Sequence, residues 1–263
     1  MTSTMPRLRL IARLDVKAPN LVKGIQFEGL RKLGDPNRFA RKYYEQGIDE
    51  IYYEDIVASL YDRNNLRDIL ENATRDIFIP ITVGGGIRSI EDVEDVLNAG
   101  ADKVAINTAA IKDEKLVSAI AQRFGSQCMV LSIQAKRNDD YWEAYYDNGR
   151  EKSGKDVIGW AKRAEALGAG EIILTSVDRE GTGKGFDTDL IEAVTSEVDI
   201  PVIASGGFRG LSDVDSVLVS GRVDGIAIAS ALHYEWITIE KLHMHCVQNS
   251  IPVRTPVSRE QGI

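Results

Sequence analysis

Two glycine-rich segments of the chain have the composition of phosphate-binding loops. Gly84-Gly85-Gly86 and Ser205-Gly206-Gly207 each follow a short apolar run and precede a segment with a helical pattern. Glycine lets the backbone approach a ligand and aim its N–H groups at it, and the start of a helix favours negative charge. We therefore expect an anion site at each segment. The residues expected nearest to the anions are Gly85, Gly86, Gly206 and Gly207.

Polar residues that end the next apolar runs extend both expected anion sites. Asn107-Thr108 ends the run after the first glycine segment, and Ala229-Ser230 ends the run after the second. Each pair adds a hydroxyl group and further backbone donors beside its glycine segment. Two such sites indicate a long substrate that carries a phosphate at each end and has its reacting atoms between them.

The residues that could react with such a substrate are expected between the two anion sites. Asp15 ends one predicted strand, where a carboxylate can act as general acid or base; helix capping or ion pairing is the alternative. Gln134 ends another strand, and its amide hydrogen-bonds but does not titrate near neutral pH. The cations expected to neutralise substrate charge are Arg13, Lys17 and Lys23. Further candidates at strand ends are Asp55 and Asp178.

Eight short runs rich in β-branched residues alternate with amphipathic segments along the chain. One such segment, residues 89–97, carries a single apolar stripe at helical spacing. Repeated alternation of strand and helix predicts parallel strands joined by right-handed crossovers, which is an α/β fold. The predicted strands are residues 8–14, 50–56, 79–83, 103–107, 129–135, 171–175, 201–204 and 225–229.

An internal repeat decides between the two architectures that this alternation allows. Residues 79–100 align without a gap with residues 200–221, at an offset of 121, and ten of the 22 pairs are identical. An offset near half the chain suits a closed ring of eight strands better than an open, doubly wound sheet. We therefore expect a single (βα)8 TIM barrel with a twofold half-barrel repeat over residues 1–263, with a core of about 8–254 and an unpacked tail of 255–263.

Composition narrows the class of protein further. The net charge of −8 argues against nucleic acid as a partner but allows a phosphorylated metabolite. The two cysteines, Cys128 and Cys246, lack the spacing of a disulfide framework or a metal site, so no metal is expected. No apolar run is long enough for a signal peptide or a membrane span, which predicts a cytoplasmic enzyme. The polar and aromatic insert at 138–148 is expected to form a hairpin, either a surface loop or a substrate lid.

Several segments of the chain, taken together, resemble the cyclase subunit of imidazole glycerol phosphate synthase, and the resemblance runs from about Leu8 to Arg254. It implies a (βα)8 barrel without a cofactor that takes ammonia from a glutaminase subunit. The barrel would convert a bisphosphorylated ribulosyl-aminoimidazole ribotide into imidazole glycerol phosphate and aminoimidazole carboxamide ribotide, in histidine biosynthesis. The segments are Leu14-Asp15-Val16-Lys17, Val22-Lys23-Gly24, Val83-Gly84-Gly85-Gly86-Ile87-Arg88-Ser89, Gly100-Ala101-Asp102-Lys103-Val104, Phe124-Gly125-Ser126-Gln127-Cys128 and Ser176-Val177-Asp178-Arg179-Glu180-Gly181-Thr182.

The resemblance also assigns roles to residues at both ends of the barrel. Asp15 and Gln134 match the two catalytic aspartates of the family, so the second position departs from the family pattern. Arg13 departs too, since it replaces a cysteine, and Ala18-Pro19-Asn20 replaces an Asp-Gly-Arg segment. A ring of charges at the N-terminal ends of the strands would gate ammonia from the glutaminase, although from the residues alone it could be a stabilising ion-pair network. Its members are Arg9, Glu50, Lys103 and Glu171.

These departures leave two further functions open beside the cyclase. One is a paralogue that passes ammonia to the amidination of an acetamido sugar in surface-polysaccharide biosynthesis. The other is a non-catalytic conduit that binds a phosphorylated ligand and activates the glutaminase. A related phosphoribosyl isomerase of the same pathway ranks last, because it would not need the ring of charges.

Overall fold

A computed structural model describes residues 7–58 and 66–254 of the chain. In chain order the strands are β1 (Arg9–Lys17), β2 (Asn20–Ile25), β3 (Glu28–Gly34), β4 (Glu50–Asp55), β5 (Ile81–Gly84), β6 (Lys103–Ile106), β7 (Met129–Asn138), β8 (Tyr141–Tyr146), β9 (Glu151–Asp156), β10 (Glu171–Ser176), β11 (Val202–Ser205) and β12 (Gly225–Ile228). The α-helices are α1 (Pro36–Glu45), α2 (Arg67–Ala73), α3 (Ile90–Asn98), α4 (Thr108–Lys112), α5 (Lys115–Phe124), α6 (Val157–Ala166), α7 (Thr188–Thr195), α8 (Leu211–Ser220), α9 (Ser230–His233) and α10 (Ile239–Gln248).

Eight of the described strands form a closed parallel ring in the order β1, β4, β5, β6, β7, β10, β11, β12. The ring closes because Arg9 of β1 pairs with Gly225 of β12. Helices connect successive ring strands, so the predicted (βα)8 barrel is confirmed. The internal repeat places β5 directly across the ring from β11, which brings the two glycine segments to opposite sides of one opening. We call this opening, at the C-terminal ends of the strands, the mouth.

Two ring strands continue beyond the barrel into antiparallel sheets. The β1 strand extends to Lys17, three residues past the predicted end, and continues into the β2–β3 hairpin, which the sequence analysis did not predict. The predicted insert after β7 does form a hairpin, but β9 adds a third antiparallel strand to it. The β1 and β7 strands lie half a turn apart, so both extensions stand over opposite sides of the mouth.

The barrel interior is polar at both poles and apolar only in the middle. Side chains alternate along each strand, so every second residue points toward the barrel axis. Along β1 the inward residues are Arg9, Ile11, Arg13 and Asp15. An interior apolar layer crosses the barrel at its middle, formed by Ile11, Tyr52, Ala105, Val130, Ile173, Ile203 and Ala227. The larger core lies outside the ring, where fully buried residues such as Leu10 and Val93 pack between strands and helices.

The C-terminal segment closes the N-terminal pole. Leu8 N donates to Pro252 O at 2.7 Å, and Arg254 Nε donates to the Asp49 carboxylate at 2.8 Å. The tail expected at 255–263 lies outside the described residues. Within 7–58 and 66–254, no helix has the length and apolar character to cross a membrane.

Candidate active site

The first glycine segment lines an open cavity at the mouth, which we call the first cradle. Its volume is about 140 Å³, and its walls include Gly85, Gly86, Asn107 and Thr108, so the structure brings these predicted residues together. Gly85 has φ +85°, and a Cβ atom there would lie 2.2 Å from the Asp55 carbonyl oxygen. Only glycine fits this close approach of two backbone segments.

The second glycine segment lines a much smaller cavity, the second cradle. Its volume is about 10 Å³, and the predicted residues Gly206, Gly207, Ala229 and Ser230 all line it. The side chains of Arg13 and Glu180 also line this cavity. A Cβ atom on Gly206 would lie 3.3 Å from Glu180 Oε2. The space holds about one water molecule, so a phosphate would enter only if these side chains moved.

The helices that follow the glycine segments each carry an aspartate that binds backbone N–H groups just before the helix begins. Asp92 Oδ2 accepts the N–H of Arg88 at 2.8 Å, and Asp213 Oδ2 accepts the N–H of Arg209 at 2.6 Å. These carboxylates belong to the first turns of α3 and α8, and they satisfy N–H groups at and before the N-cap residues Ser89 and Gly210. The N–H groups of Arg88 and Arg209 are therefore not available to an anion.

Two cations of the first cradle were missed in the sequence analysis. Arg88 and Lys112 both line the cavity. Lys112 also lies over the Tyr146 ring, 5.5 Å from its centroid. The spacing of Thr108 and Lys112, four residues apart on α4, places both on one helix face and is a signal that could have found the lysine.

The hairpin after β7 forms a wall of the first cradle, so it is more than a surface loop. Asn107 Nδ2 donates to the Tyr145 carbonyl at 3.1 Å, and the Asp147 N–H donates to Thr108 Oγ1 at 3.1 Å. Asp147 and Asn148 both line the cavity. The side chains of Asn107 and Thr108 therefore position this wall, while the backbone at the start of α4 faces the cavity.

Asp15 lies at the end of β1 between two cations. Arg13 Nε donates to Asp15 Oδ1 at 2.9 Å, and Lys23 Nζ binds Oδ2 and also contacts Glu180. Burial opposes ionisation of Asp15, but Lys23 and then Arg13 outweigh it and hold the pKa of this carboxyl far below its usual range. Asp15 is therefore ionised in this structure, and each of its oxygens binds a cation.

Gln134 lies in the same interior as predicted and lines the first cradle. The buried carboxyl of Glu54 lines it as well, and burial raises the pKa of Glu54 to about 8, with Asp15 and Asp55 adding to the rise and Arg13 opposing it. With respect to the described residues, Gln134 Oε1 and Glu54 Oε2 both lack a hydrogen-bond partner. The sequence analysis missed Glu54, although the alternation from Glu50 already indicates that it points inward.

The remaining predicted residues take different places. Lys23 is buried beside Asp15, whereas Lys17 is exposed at the start of the β2 turn. Asp55 lines the first cradle and accepts the Val57 N–H at 3.0 Å. Asp178 binds the Arg137 N–H at 2.8 Å, so it fastens the β7 extension to the loop after β10. Its carboxylate has a structural partner in the described chain, and substrate binding by Asp178 stays a prediction.

The four charges predicted at the other pole form a closed ring, the charge ring. Each carboxylate bridges both cations: Glu50 binds Arg9 at 2.9 Å and Lys103 at 3.0 Å. Glu171 binds Lys103 at 3.0 Å and also contacts Arg9. Burial by itself would raise the pKa of the Glu50 carboxyl, but the charges of Lys103 and Arg9 outweigh burial and lower it. The ring covers the N-terminal entrance to the barrel interior, below the interior apolar layer.

Comparisons with known proteins show the family to which the chain belongs. The family model described as histidine biosynthesis protein matches residues 9–238. The imidazole glycerol phosphate synthase subunit HisF of Legionella pneumophila is 60% identical over 210 residues, which are 80% of this chain and 99% of that protein. The subunit of the same name from Lactococcus lactis subsp. lactis strain IL1403 is 44% identical over 248 residues, 94% of this chain and 96% of that protein.

A third relative agrees with the first two. The HisF subunit of Lactococcus lactis subsp. cremoris strain SK11 is 46% identical over 248 residues, 94% of this chain and 96% of that protein. These relatives lend no support to the amidination or conduit alternatives. Identity at this level over most of both chains, on the barrel described above, decides the family. The chain belongs to the histidine biosynthesis protein family and is similar to the HisF subunits of imidazole glycerol phosphate synthase.

Proposed function

We propose that the chain is the cyclase subunit of an imidazole glycerol phosphate synthase, a lyase within a glutamine amidotransferase complex. It takes ammonia from a glutaminase and converts the bisphosphorylated ribulosyl-aminoimidazole ribotide into imidazole glycerol phosphate and aminoimidazole carboxamide ribotide. The observation that carries this proposal is the combination of a charge ring at one pole with an anion cradle at the other, joined by one barrel interior. The identity with HisF subunits supports the choice of substrate.

The first cradle suits one phosphate of the substrate. Gly85 and Gly86 present backbone donors, α4 begins at its rim, and the side chains of Arg88 and Lys112 supply positive charge. Such a site satisfies the phosphate oxygens with N–H groups and balances their charge. The cavity volume of about 140 Å³ leaves room for the phosphate and part of the attached sugar.

The second cradle accepts the other phosphate after a rearrangement. Lys23 contacts both Asp15 and Glu180, and Glu180 faces Gly206. A phosphate that arrives beside Gly206 would repel the Glu180 carboxylate and attract the Lys23 ammonium. We expect Glu180 to leave the cradle on binding and Lys23 to pair with substrate, which gives Lys23 its predicted role.

A glutaminase subunit docks on the N-terminal pole in this proposal. Phe78 precedes β5, and Val219 and Val247 lie in the last turns of α8 and α10, so all three belong to this pole. They are 76%, 89% and 67% exposed, respectively. Large exposed apolar side chains beside a charged entrance are typical of an interface core. Ammonia released there would pass the charge ring and the interior apolar layer to reach Gln134 and Glu54.

Complementation tests the proposed function directly. Expression of the chain in a histidine auxotroph that lacks its cyclase is expected to restore growth without histidine when a matching glutaminase is present. Purified chain with an ammonium salt is expected to consume the ribotide and release aminoimidazole carboxamide ribotide, measured by chromatography. The Gly85→Ala variant serves as the control with a damaged cradle. Neither growth nor ribotide consumption by the unaltered chain would rule the proposal out.

A further inference from the structure

Neither of the two residues expected to transfer protons holds a proton that it can give in this structure. Both oxygens of Asp15 are bound by Arg13 and Lys23, and these cations keep the carboxyl ionised. Gln134 carries an amide, which neither releases nor takes up a proton near neutral pH. Addition of ammonia to a carbonyl group nevertheless requires protons to move from nitrogen to oxygen. The Asp15 carboxylate can accept a proton, so the group that is missing is one in the same cavity that can give a proton.

We infer that Glu54 is the catalytic acid and base of this chain, acting where ammonia from the barrel interior meets the substrate carbonyl. This inference rests on the proposed function. Glu54 stands on β4, four residues beyond Glu50 of the charge ring, and its side chain lines the first cradle together with Gln134. The residue is only 7% exposed, yet no described residue hydrogen-bonds its Oε2 atom. A buried acceptor without a partner is costly, and a ligand group in the cavity would satisfy it.

The neighbouring glycine holds the Glu54 carboxyl where it can face the cavity. A Cβ atom on Gly84 would lie 2.7 Å from Glu54 Oε2 and 2.6 Å from the Tyr52 hydroxyl oxygen. Both polar atoms therefore occupy the space that a side chain at position 84 would fill. The Tyr52 hydroxyl also lacks a partner within the described chain, and Tyr52 belongs to the interior apolar layer below. Two polar groups that lack a partner within the described chain therefore lie beside Gly84.

The charges around Glu54 suit a group that both gives and takes a proton. Arg13 and Asp15 face it from β1, Asp55 adjoins it on β4, and Gln134, on β7, is neutral. Burial, with Asp15 and Asp55, raises the pKa of Glu54 to about 8 against the opposing charge of Arg13. The carboxyl is therefore mostly protonated at neutral pH, and its pKa is close enough to neutrality for efficient proton transfer.

The proton transfers balance as follows for the ketone of the ribulosyl group. The ammonia nitrogen forms a bond to the carbonyl carbon while protonated Glu54 gives its proton to the carbonyl oxygen. The Glu54 carboxylate then takes a proton from the new ammonium nitrogen. In the second half Glu54 protonates the hydroxyl, the C–O bond breaks and water leaves. The nitrogen returns a proton to Glu54, so ketone and ammonia become imine and water, and Glu54 ends protonated.

The test compares Glu54→Gln with Asp49→Asn, a second buried carboxyl whose pKa is raised by burial, placed at the opposite pole. Turnover is measured with the full chain, the ribotide and an ammonium salt, with the concentration of free ammonia held constant at each pH. We expect kcat of Glu54→Gln to fall about 10²–10⁴-fold, as for loss of an acid–base group. KM should change by less than about threefold, and Asp49→Asn should keep kcat within about threefold.

The pH profile of the unaltered chain provides a second measurement that does not depend on any variant folding. Its kcat is expected to change through a limb near pH 8, set by Glu54. Absence of that limb, or a Glu54→Gln enzyme with kcat within about threefold of the unaltered chain, would overturn the inference while leaving the proposed function intact. If the unaltered chain does not consume the ribotide at all, the proposed function and this inference fail together.

Discussion

At the scale of single residues, the most constrained part of the molecule is the buried group of charges around Lys23. Its ammonium lies between Asp15 and Glu180, and burial opposes its charge, but Asp15 and Glu180 raise the pKa of Lys23. Breaking a buried ion pair from one side leaves a charge without compensation, which costs far more than the pair itself contributes. We therefore expect the stability of the barrel to depend on a residue to which the proposed function also assigns a role in substrate binding.

Substitution of Lys23 measures this dependence. Lys23→Met is expected to lower the free energy of unfolding by about 3–5 kcal/mol, because Asp15 and Glu180 stay buried with less compensating charge. Lys42→Met is the control, since Lys42 pairs with Glu235 on the exposed surface and its loss should cost less than about 1 kcal/mol. Urea unfolding at pH 7 gives both values. Equal losses for the two variants would show that the buried pair is not a stabilising unit.

The raised pKa of Glu54 predicts how stability depends on pH. Its folded pKa of about 8 exceeds the unfolded value of about 4.3, so the folded state binds the proton more tightly. The stability that this group contributes is therefore present below about pH 4.3 and is lost as pH rises toward 8. Glu54→Gln should remove this decline, so the difference between the two unfolding free energies should grow in favour of the variant from pH 5 to pH 8. A constant difference would contradict the raised pKa.

At the scale of elements, the glycine loops are fixed by close backbone packing as much as by ligand binding. Gly85 has φ +85°, and a Cβ atom there would meet the Asp55 carbonyl oxygen at 2.2 Å. Gly154, within β9, has φ +73°, but the space around a Cβ atom there is open, with no contact within 4 Å. Both glycines have a positive φ, but only Gly85 has close neighbours at the Cβ position. Substitution of the two therefore separates the effect of backbone strain from the effect of a steric clash.

Alanine at these two positions separates strain from contact. Gly154→Ala is expected to cost about 1–2 kcal/mol, the price of a left-handed residue with a side chain. Gly85→Ala should cost clearly more and should weaken binding of inorganic phosphate to the first cradle, because the loop must move away from Asp55. Urea unfolding and isothermal titration calorimetry measure the two effects. Similar stability losses together with equal phosphate affinities would show that the close approach does not shape the cradle.

The sequence predicts the ring strands well because their signals are local. The repeat places β5 opposite β11, and the alternation along β1 and β4 is enough to turn Arg9, Arg13 and Glu50 inward. The Ser89–Asp92 spacing is also recognisable in the sequence as a capping box, in which each side chain accepts the backbone N–H of the other residue. The small volume of the second cradle could not be predicted from the sequence, because it depends on the side-chain positions of Arg13 and Glu180, which are far apart in the chain.

At the scale of the whole molecule, the charge ring divides the outer pole from the catalytic interior. Each of its carboxylates is shared between Arg9 and Lys103, so movement of either cation leaves both carboxylates with one partner. Opening of the entrance is therefore a cooperative rearrangement of four side chains. Such a barrier is expected to matter for ammonia made by the partner subunit and not for ammonia that enters from solvent at the mouth.

Removal of one cation tests the function of the charge ring. In Lys103→Met the carboxylates of Glu50 and Glu171 keep only Arg9, and their excess negative charge should hold ammonium ions at the entrance. We expect the ratio of glutamine-dependent to ammonium-dependent turnover to fall about tenfold. This fall corresponds to an increase of about 1.4 kcal/mol in the activation free energy for the use of ammonia from the glutaminase. Arg67→Met, which breaks an exposed ion pair with Glu71 on α2, should leave the ratio unchanged. A purely structural ring would lower both turnovers alike.

The unequal sizes of the two cradles, about 140 Å³ and about 10 Å³, would give the proposed substrate binding an order. We expect the larger cradle to take one phosphate first, after which the rest of the substrate holds the other phosphate at high local concentration beside a cradle that opens only when the Lys23–Glu180 ion pair breaks. A metabolite with a single phosphate lacks the second one, so it can fill the larger cradle but gains nothing from the smaller one. The proposed function therefore implies that the barrel favours ligands with two phosphates because opening the second cradle costs free energy, without a side chain that excludes shorter ligands.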